Sequence, residues 1–233
     1  MVDIQGVLAI MNIGIIIPSH NESRTIGTLV SRLRQLNHEV LVIDDGSRDD
    51  TGRIAQTQGA MVLRNERNLG KGAALRRGFA AFINRPLDGI ITMDADGQHD
   101  PEDIRNFLIA AEHNQPCVVI GNRLAEPKDM PGLRWLTNRF MSYILSLVCQ
   151  QKIADSQCGF RFISLSIIRK ARLRTDNFEI ESELLVEASR KGYRILSVPI
   201  RTIYGKEKSY VNPFIDTLRF LKFLFRELWT LND

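Results

Sequence analysis

Short apolar runs and amphipathic stretches alternate along the first half of the chain. Ile13-Gly14-Ile15-Ile16-Ile17 is apolar throughout and halts at Pro18. Residues 40–43, 61–63, 90–93 and 117–120 repeat the theme with Val, Leu, Ile and Met. Runs this short, rich in β-branched side chains, read as strands buried on both faces. Between them apolar residues recur at helical spacing: Ile26, Leu29, Val30 and Leu33, then Leu75, Phe79 and Phe82, then Ile104, Phe107, Leu108 and Ala111. The alternation predicts an α/β fold, one domain with a mostly parallel central sheet covered by helices. In such sheets ligands gather beyond the carboxyl ends of the strands.

The unusual polar residues stand at those ends. Pro18-Ser19-His20-Asn21-Glu22 follows the first strand, Asp44-Asp45-Gly46-Ser47 the second, and Asp94-Ala95-Asp96-Gly97-Gln98 the fourth; Asn68-Leu69-Gly70-Lys71-Gly72 opens the third helix. Two carboxylates one residue apart repel each other, and desolvating both is costly without a cation beside them. Asp oxygens suit Mg²⁺ or Mn²⁺, which carry substrate phosphates on their remaining positions. Asp100 then reads as an N-cap with Pro101 at the first helical position. Asp49 and Asp50 open the second helix, and Asp44 and Asp49 read equally well as helix caps. Other motifs with similar letters do not fit. A calcium loop needs an acid or Asn where Gln98 stands and Gly where His99 stands. Phosphohydrolases with an Asp nucleophile normally follow Asp-x-Asp-Gly with Thr and carry it on the first strand. The glycine spacing of a P-loop and the Gly-x-Gly-x-x-Gly of a dinucleotide dehydrogenase are both missing.

Composition narrows the setting. The 233 residues are 44% hydrophobic and 25% charged, enough for one substantial core. A formal charge of +4 suits anionic small molecules or an anionic membrane surface. Cys117, Cys149 and Cys158 are scattered, with neither a disulfide framework nor zinc spacing, as expected of reduced thiols in a cytoplasmic protein. Residues 1–11 lack the basic start and long apolar centre of a signal peptide, and no run of about twenty apolar residues would span a bilayer.

Taken in order, the four polar blocks resemble those of the family 2 glycosyltransferases of GT-A fold, more narrowly the dolichol-phosphate mannosyltransferase-like branch. The blocks keep their order over residues 13–103, and weaker matches continue to about residue 210. The resemblance implies a nucleotide-sugar donor, GDP- or UDP-linked, cradled by Pro18, Asn21, Glu22, Ile43 and Asp45, with Ala95 alongside and Lys71 near the phosphates. It assigns Asp94, Asp96 and Gln98 to a divalent metal, Mg²⁺ or Mn²⁺, that bridges the donor diphosphate. Relatives often carry an aromatic residue where His20 stands.

On the acceptor side Gly121-Asn122-Arg123 resembles Gly-Ser-Arg, and Arg134 with Asn138 matches an Arg-x-x-x-Ser pair whose members share a helix face. Asp94, Asp96, Arg123 and Arg134 are thus the expected catalytic residues, and Arg123, Arg134 and Asn138 the ligands of an acceptor phosphate. Asp155–Phe160 resembles Asp-x-x-Ser-Gly-Phe with Cys158 replacing Ser, and Glu183 takes the acidic position of the next block. Near Tyr204-Gly205-Lys206-Glu207-Lys208-Ser209 relatives carry a further Arg, a charge that Arg201, Lys206 or Lys208 would have to supply. Arg169, Arg172 and Arg174 read as solvated surface charges. From about Pro213 to Trp229, Phe214, Leu218, Leu221, Phe225 and Leu228 lie at helical spacing with Arg219, Lys222 and Arg226 between them. That helix either packs on the core or lies at a membrane interface.

The expectation is therefore a GT-A domain over 11–212 and an amphipathic helix over 213–233. The enzyme would transfer a sugar with inversion to a polyprenyl phosphate, peripheral at the inner face of a membrane, with no nucleic-acid partner. An anionic phosphate attacks without a general base. A hydroxyl acceptor is the alternative and would need one, Asp155 or Glu183. A non-catalytic nucleotide-sugar-binding module is a third reading, against which the intact Asp94 and Asp96 pair speaks.

Overall fold

The structure is a computed structural model and describes residues 11–125 and 130–203, with Phe220 and Lys222. Among these residues seven strands alternate with seven α-helices: β1 Ile13–Ser19, α1 Ile26–Gln35, β2 Glu39–Asp44, α2 Thr51–Thr57, β3 Met61–Arg64, α3 Lys71–Phe82, β4 Gly89–Thr92, α4 Ile104–Glu112, β5 Cys117–Asn122, α5 Gly132–Cys149, β6 Arg161–Ser164, α6 Leu165–Lys170, α7 Ile180–Arg190 and β7 Arg194–Pro199. They build one sheet in the order β3-β2-β1-β4-β6-β5-β7. All pairings are parallel except those of β6, which runs antiparallel to both β4 and β5.

Consecutive residues of a strand point to opposite faces, so a run buried without interruption means that both faces are covered. Ile15, Ile16 and Ile17 are fully buried, as are Ile90 and Ile91. Each such side chain contributes about 1.5–3 kcal/mol relative to an exposed one. The helical stripes meet the sheet as their spacing predicts: Ile26, Leu29, Val30 and Leu33 are the buried residues of α1, and Ile104, Phe107, Leu108 and Ala111 those of α4.

Three details differ from the sequence pattern. Strand β1 runs through Pro18 to Ser19, pairing Pro18 with Ile43. Its pairing with β4 ends at Ile16, so beyond that point β2 is its one neighbour in the sheet, and a residue without an N–H costs no bond on the open side. Strands β6 and β7 were not foreshadowed. Strand β6 has four residues and begins with Arg161, while β7 lies at the sheet edge with Arg194, Ser197 and Pro199 exposed. Finally, Asp100 does accept a bond from the Glu102 N–H, but the first turn is a 3₁₀ turn over Pro101–Asp103 before α4 begins.

The antiparallel β6 matters for function. Its amino end lies where the carboxyl ends of the parallel strands lie, so the turn before Arg161 joins the turns after β1, β2, β4 and β5 at one edge. Gly121 N–H donates to the Phe160 carbonyl and Thr92 Oγ1 to the Gly159 carbonyl, which fixes that turn beside β4 and β5.

Candidate active site

The turns after β1 and β2 are bolted together by side chains that satisfy backbone groups. Ser47 Oγ accepts from the Asn21 N–H at 3.0 Å, Asn21 Oδ1 accepts from the Arg48 N–H at 2.8 Å, and Thr51 Oγ1 accepts from the Glu22 N–H at 2.8 Å. Asn21 adopts φ of 58°, a left-handed conformation that Asn tolerates better than most residues. His20 Nδ1 lies 2.8 Å from the Asp45 carbonyl and its Nε2 lies 3.0 Å from Asn21 Nδ2. The Asn21 oxygen already accepts from Arg48, so its amide donates to Nε2 and the neutral imidazole carries its proton on Nδ1. The ring is thereby held at both nitrogens.

Asp45 serves the loop before α3. Its carboxylate accepts from the Leu69 N–H at 3.0 Å, from the Gly70 N–H at 2.8 Å and from Asn65 Nδ2 at 2.6 Å. Gly46, at φ of 68°, leaves no room for a Cβ, which would stand 2.4 Å from the Arg67 backbone. Asp44 is fully buried and accepts from the Ser47 N–H, so it closes a turn rather than capping a helix. Asp49 accepts from the Thr51 and Ser23 N–H groups at the start of α2, whereas Asp50 turns to Arg53. Pro18 and Ile43 are the paired residues that end the apolar parts of β1 and β2.

Asp94 and Asp96 follow β4. The Ala95 carbonyl between them accepts from Thr25 Oγ1 at 2.7 Å, tying this turn to the start of α1. Lys71 Nζ reaches Asp94 Oδ1 at 2.6 Å and Glu181 Oε1 at 2.8 Å, with the Phe178 ring 5.6 Å away. The whole Asp94 carboxylate packs over Gly159, where a Cβ would stand 2.3 Å from Oδ2. Burial alone would raise the Asp94 pKa, but the Lys71 ammonium and His99 outweigh it and hold the group well below the usual carboxylate range. Asp96 moves the other way, raised first by burial and then by the neighbouring Asp94 charge.

That contrast bears on a metal. Asp96 has no ion-pair partner among the described residues and accepts from the Gln98 N–H at 3.0 Å. The Lys71 and His99 charges offset only part of that rise, and a divalent cation would add to them. Among the described residues no three acidic, His or Cys side chains converge as a metal cage. Two carboxylates with Gln98, waters and phosphate oxygens are nevertheless the partial shell that Mg²⁺ or Mn²⁺ accepts. The donor set fits.

The acceptor-side residues are placed less openly. Arg123 is 5% exposed and gives Nε and Nη2 to the fully buried Asp155, at 2.8 and 3.0 Å. Burial alone would lower the Arg123 pKa, but Asp155 outweighs it and holds the guanidinium firmly protonated. Asn138 is buried on α5 one turn before Ser142, and Ser142 Oγ accepts from the Ser156 N–H at 2.8 Å. Arg134, a turn earlier on that face, is half-buried with no partner among the described residues. Arg123 and Ser142 thus hold one turn, residues 155–158, and Asn138 and Arg134 stand one and two helical turns before Ser142 on α5. Cys158 is buried in that turn, and burial pushes its thiol up to about 12. Glu183 accepts from the Arg174 and Thr175 N–H groups and from Thr175 Oγ1. Arg201 packs on Asp103 and Asp100, while Lys206, Lys208 and the expected helix over 213–233, apart from buried Phe220 and exposed Lys222, lie outside the described residues.

Sequence reasoning passed over Glu181, His99 and Arg161. Arg161, 1% exposed, donates to the carbonyls of Ser156, Cys158 and Glu181 and so joins the 155–158 turn to α7. His99 stacks on Phe160 and places Nε2 3.7 Å from Asp94 Oδ2. The adjacency of His99 to the Asp94 block was the available signal; Glu181 and Arg161 offered none beyond being charges in apolar surroundings.

Comparison with known proteins gives a consistent picture. The family model described as "Glycosyl transferase family 2" matches residues 14–172. The chain is 31% identical to a UDP-N-acetylglucosamine–dolichyl-phosphate N-acetylglucosaminyltransferase of Methanococcus voltae, over 82% of this chain and 85% of that one. It is 30% identical to an undecaprenyl-phosphate mannosyltransferase of Micrococcus luteus, over 82% and 83% of the two chains. Among solved structures, glucosyl-3-phosphoglycerate synthase from Mycobacterium tuberculosis, in complex with Mn²⁺, UDP and phosphoglyceric acid, superposes with a TM-score of 0.70 at 20% identity, covering 93% of this chain and 76% of that one. At that identity the likeness speaks for the fold, GT-A.

Proposed function

The chain belongs to glycosyl transferase family 2, in the branch that includes dolichol-phosphate mannosyltransferases, and on that premise we propose that it transfers a sugar, with inversion, from a UDP- or GDP-sugar to a polyprenyl phosphate. The observation that carries the reading is the meeting of Asp94, Asp96 and Lys71 at the sheet edge where the turns after β1 and β2 also end. An acceptor phosphate oxygen attacks the anomeric carbon as the bond to the donor's diphosphate breaks; the nucleoside diphosphate leaves and the configuration inverts. Mg²⁺ or Mn²⁺, held by Asp94, Asp96 and Gln98, would stabilise charge on the leaving diphosphate. Lys71 adds a second positive charge. The turns at Pro18–Glu22 and Ile43–Asp45 shape the nucleotide cradle, Asp45 acting through the loop it holds.

The acceptor assignment draws support from the two carboxylates that a hydroxyl acceptor would require as base. Asp155 is fully buried on Arg123, and Glu183 is spent on the backbone of residues 174 and 175. A phosphate acceptor needs no base. Arg134 and Asn138 on α5 would receive its charge, with Arg123 behind them. The outer face of α5 suits a lipid: Leu133, Leu136, Phe140, Tyr143 and Leu147 recur every three or four residues and are 53–73% exposed. Arg139, stacked on Trp135, flanks the stripe, and basic residues beside an apolar face favour anionic membranes. Among the described residues no helix is long and apolar enough to cross a membrane. The transferase domain over 11–212 would then sit peripherally at the inner face of the membrane.

The test is radiolabelled sugar transfer to polyprenyl phosphate and to the dephosphorylated polyprenol, with and without chelator. Label in the phosphate acceptor alone, lost on chelation, is the expected result. Label in the polyprenol alone would replace this reading with a hydroxyl transferase.

A further inference from the structure

Glu181, two residues before the Glu183 that takes the acidic position of its block, completes the charge chain at the centre of the site. Its Oε1 lies 2.8 Å from Lys71 Nζ, which lies 2.6 Å from Asp94 Oδ1, so one ammonium is shared by two carboxylates from different parts of the fold. Glu181 is 7% exposed and Lys71 is its one ion-pair partner among the described residues. Its backbone carbonyl is gripped by Arg161 at 2.5 Å, and the chain just before α7 is clasped to the start of α3, where the Gly72 and Ala73 N–H groups donate to the Asp176 carbonyl at 2.8 and 3.2 Å. Glu181 is therefore held in place, while Lys71 reaches it through a four-methylene stem that is the more adaptable of the two. A carboxylate that takes a divalent cation repels an ammonium on the same oxygens.

We propose that Glu181 is a positioning residue, the second berth of Lys71: when a divalent cation takes the Asp94 carboxylate, Lys71 leaves Asp94, stays on Glu181 and is kept at the site as a positive partner for the donor's diphosphate. This rests on the metal reading of Asp94 and Asp96. Glu183, two residues on, faces away by about 200° and holds backbone instead. Without Glu181, Lys71 has Asp94 as its sole counter-charge and competes directly with the metal.

The experiment titrates Mn²⁺ alone, without nucleotide, into the full chain and reads its electron paramagnetic resonance signal in the wild type, Glu181→Gln, Lys71→Met and the double variant. Glu181→Gln is expected to weaken Mn²⁺ binding about tenfold, Lys71→Met to tighten it, and Glu181→Gln to change it less than about threefold once Lys71 is gone. An equal loss in both backgrounds, or unchanged affinity in Glu181→Gln, overturns the proposal. Should Glu181→Gln fail to fold, Glu181→Asp takes its place, with a smaller loss of the same sign that also vanishes with Lys71→Met. Failure of the underlying reading has its own signature: Mn²⁺ binding to the wild type that survives Asp96→Ala removes the metal site and this inference with it.

Discussion

The two ends of the site's sheet edge are built on different principles. On the donor side, around β1, β2 and β4, polar side chains reach across to backbone groups of neighbouring turns: Ser47, Asn21 and Asp45 accept from the N–H groups of Asn21, Arg48 and Leu69 with Gly70, and Thr25 donates to the Ala95 carbonyl. Each contact is modest, and together they hold three loops in register. On the acceptor side, around β5, β6 and α5, one deeply buried ion pair, Arg123 with Asp155, does the holding, and α5 turns its large apolar residues outward. A pre-shaped polar cradle suits a ligand made of base, ribose and diphosphate. A neutralised interior beneath an exposed apolar stripe suits a ligand that arrives from lipid.

The comparison breaks most readily at the buried pair. Asp155→Asn leaves a guanidinium buried without its counter-ion and is expected to cost about 3–5 kcal/mol in urea unfolding. Arg123→Met with Asp155→Leu should cost far less, and a loss under about 1 kcal/mol for Asp155→Asn alone would mean a solvated pair of the surface kind. Next is the donor centre. Asp96→Ala should lower transfer about 10²–10³-fold, the scale of removing a transition-state electrostatic partner, at unchanged melting temperature. Full activity in that variant would detach the carboxylate pair from the chemistry.

Arg134→Ala sharpens the division between the sides. Losing one charged hydrogen bond of about 1.5–3 kcal/mol should cut transfer to polyprenyl phosphate about 10- to 100-fold while calorimetric nucleotide affinity stays put. A matching fall in nucleotide affinity would merge the two sides into one site. The smallest effect belongs to the donor-side turns themselves. Asp49→Ala should lower stability by about 1 kcal/mol, as lost end-of-helix acceptors do, with nucleotide affinity intact. Asp45→Ala should instead weaken nucleotide binding by releasing the loop before α3; a pure stability loss there would reduce that turn to scaffolding.

Much of the donor side was legible because it is written in contiguous letters. Apolar runs ending in Pro18, Asp44 and Asp94 announce strands that deliver polar groups to one edge, and helical stripes such as that of α4 appear in the structure with the same four residues buried. Local pattern reaches that far because strand and helix periods are local properties. Strand β6 escaped because four residues headed by a charge carry no period long enough to see. Its direction is a property of the whole sheet, and it is what brings the turn 155–160 beside β4 and β5. Which of two acids faced Lys71 was equally beyond reach. Glu181 and Glu183 are alike in sequence, and the packing of α7 against the start of α3 aims one at the ammonium and the other at the backbone of Arg174.

The chain alone determined that this protein is a parallel-type α/β domain with carboxylates and a lysine at its ligand edge, since burial periodicity and turn chemistry depend on near neighbours. Tertiary structure decided how those charges are paired. Arg123 goes to Asp155, Lys71 is divided between Asp94 and Glu181, and Asp96 has no ion-pair partner among the described residues, because Coulomb energies depend on distance in space and on burial, neither of which is set by distance along the chain.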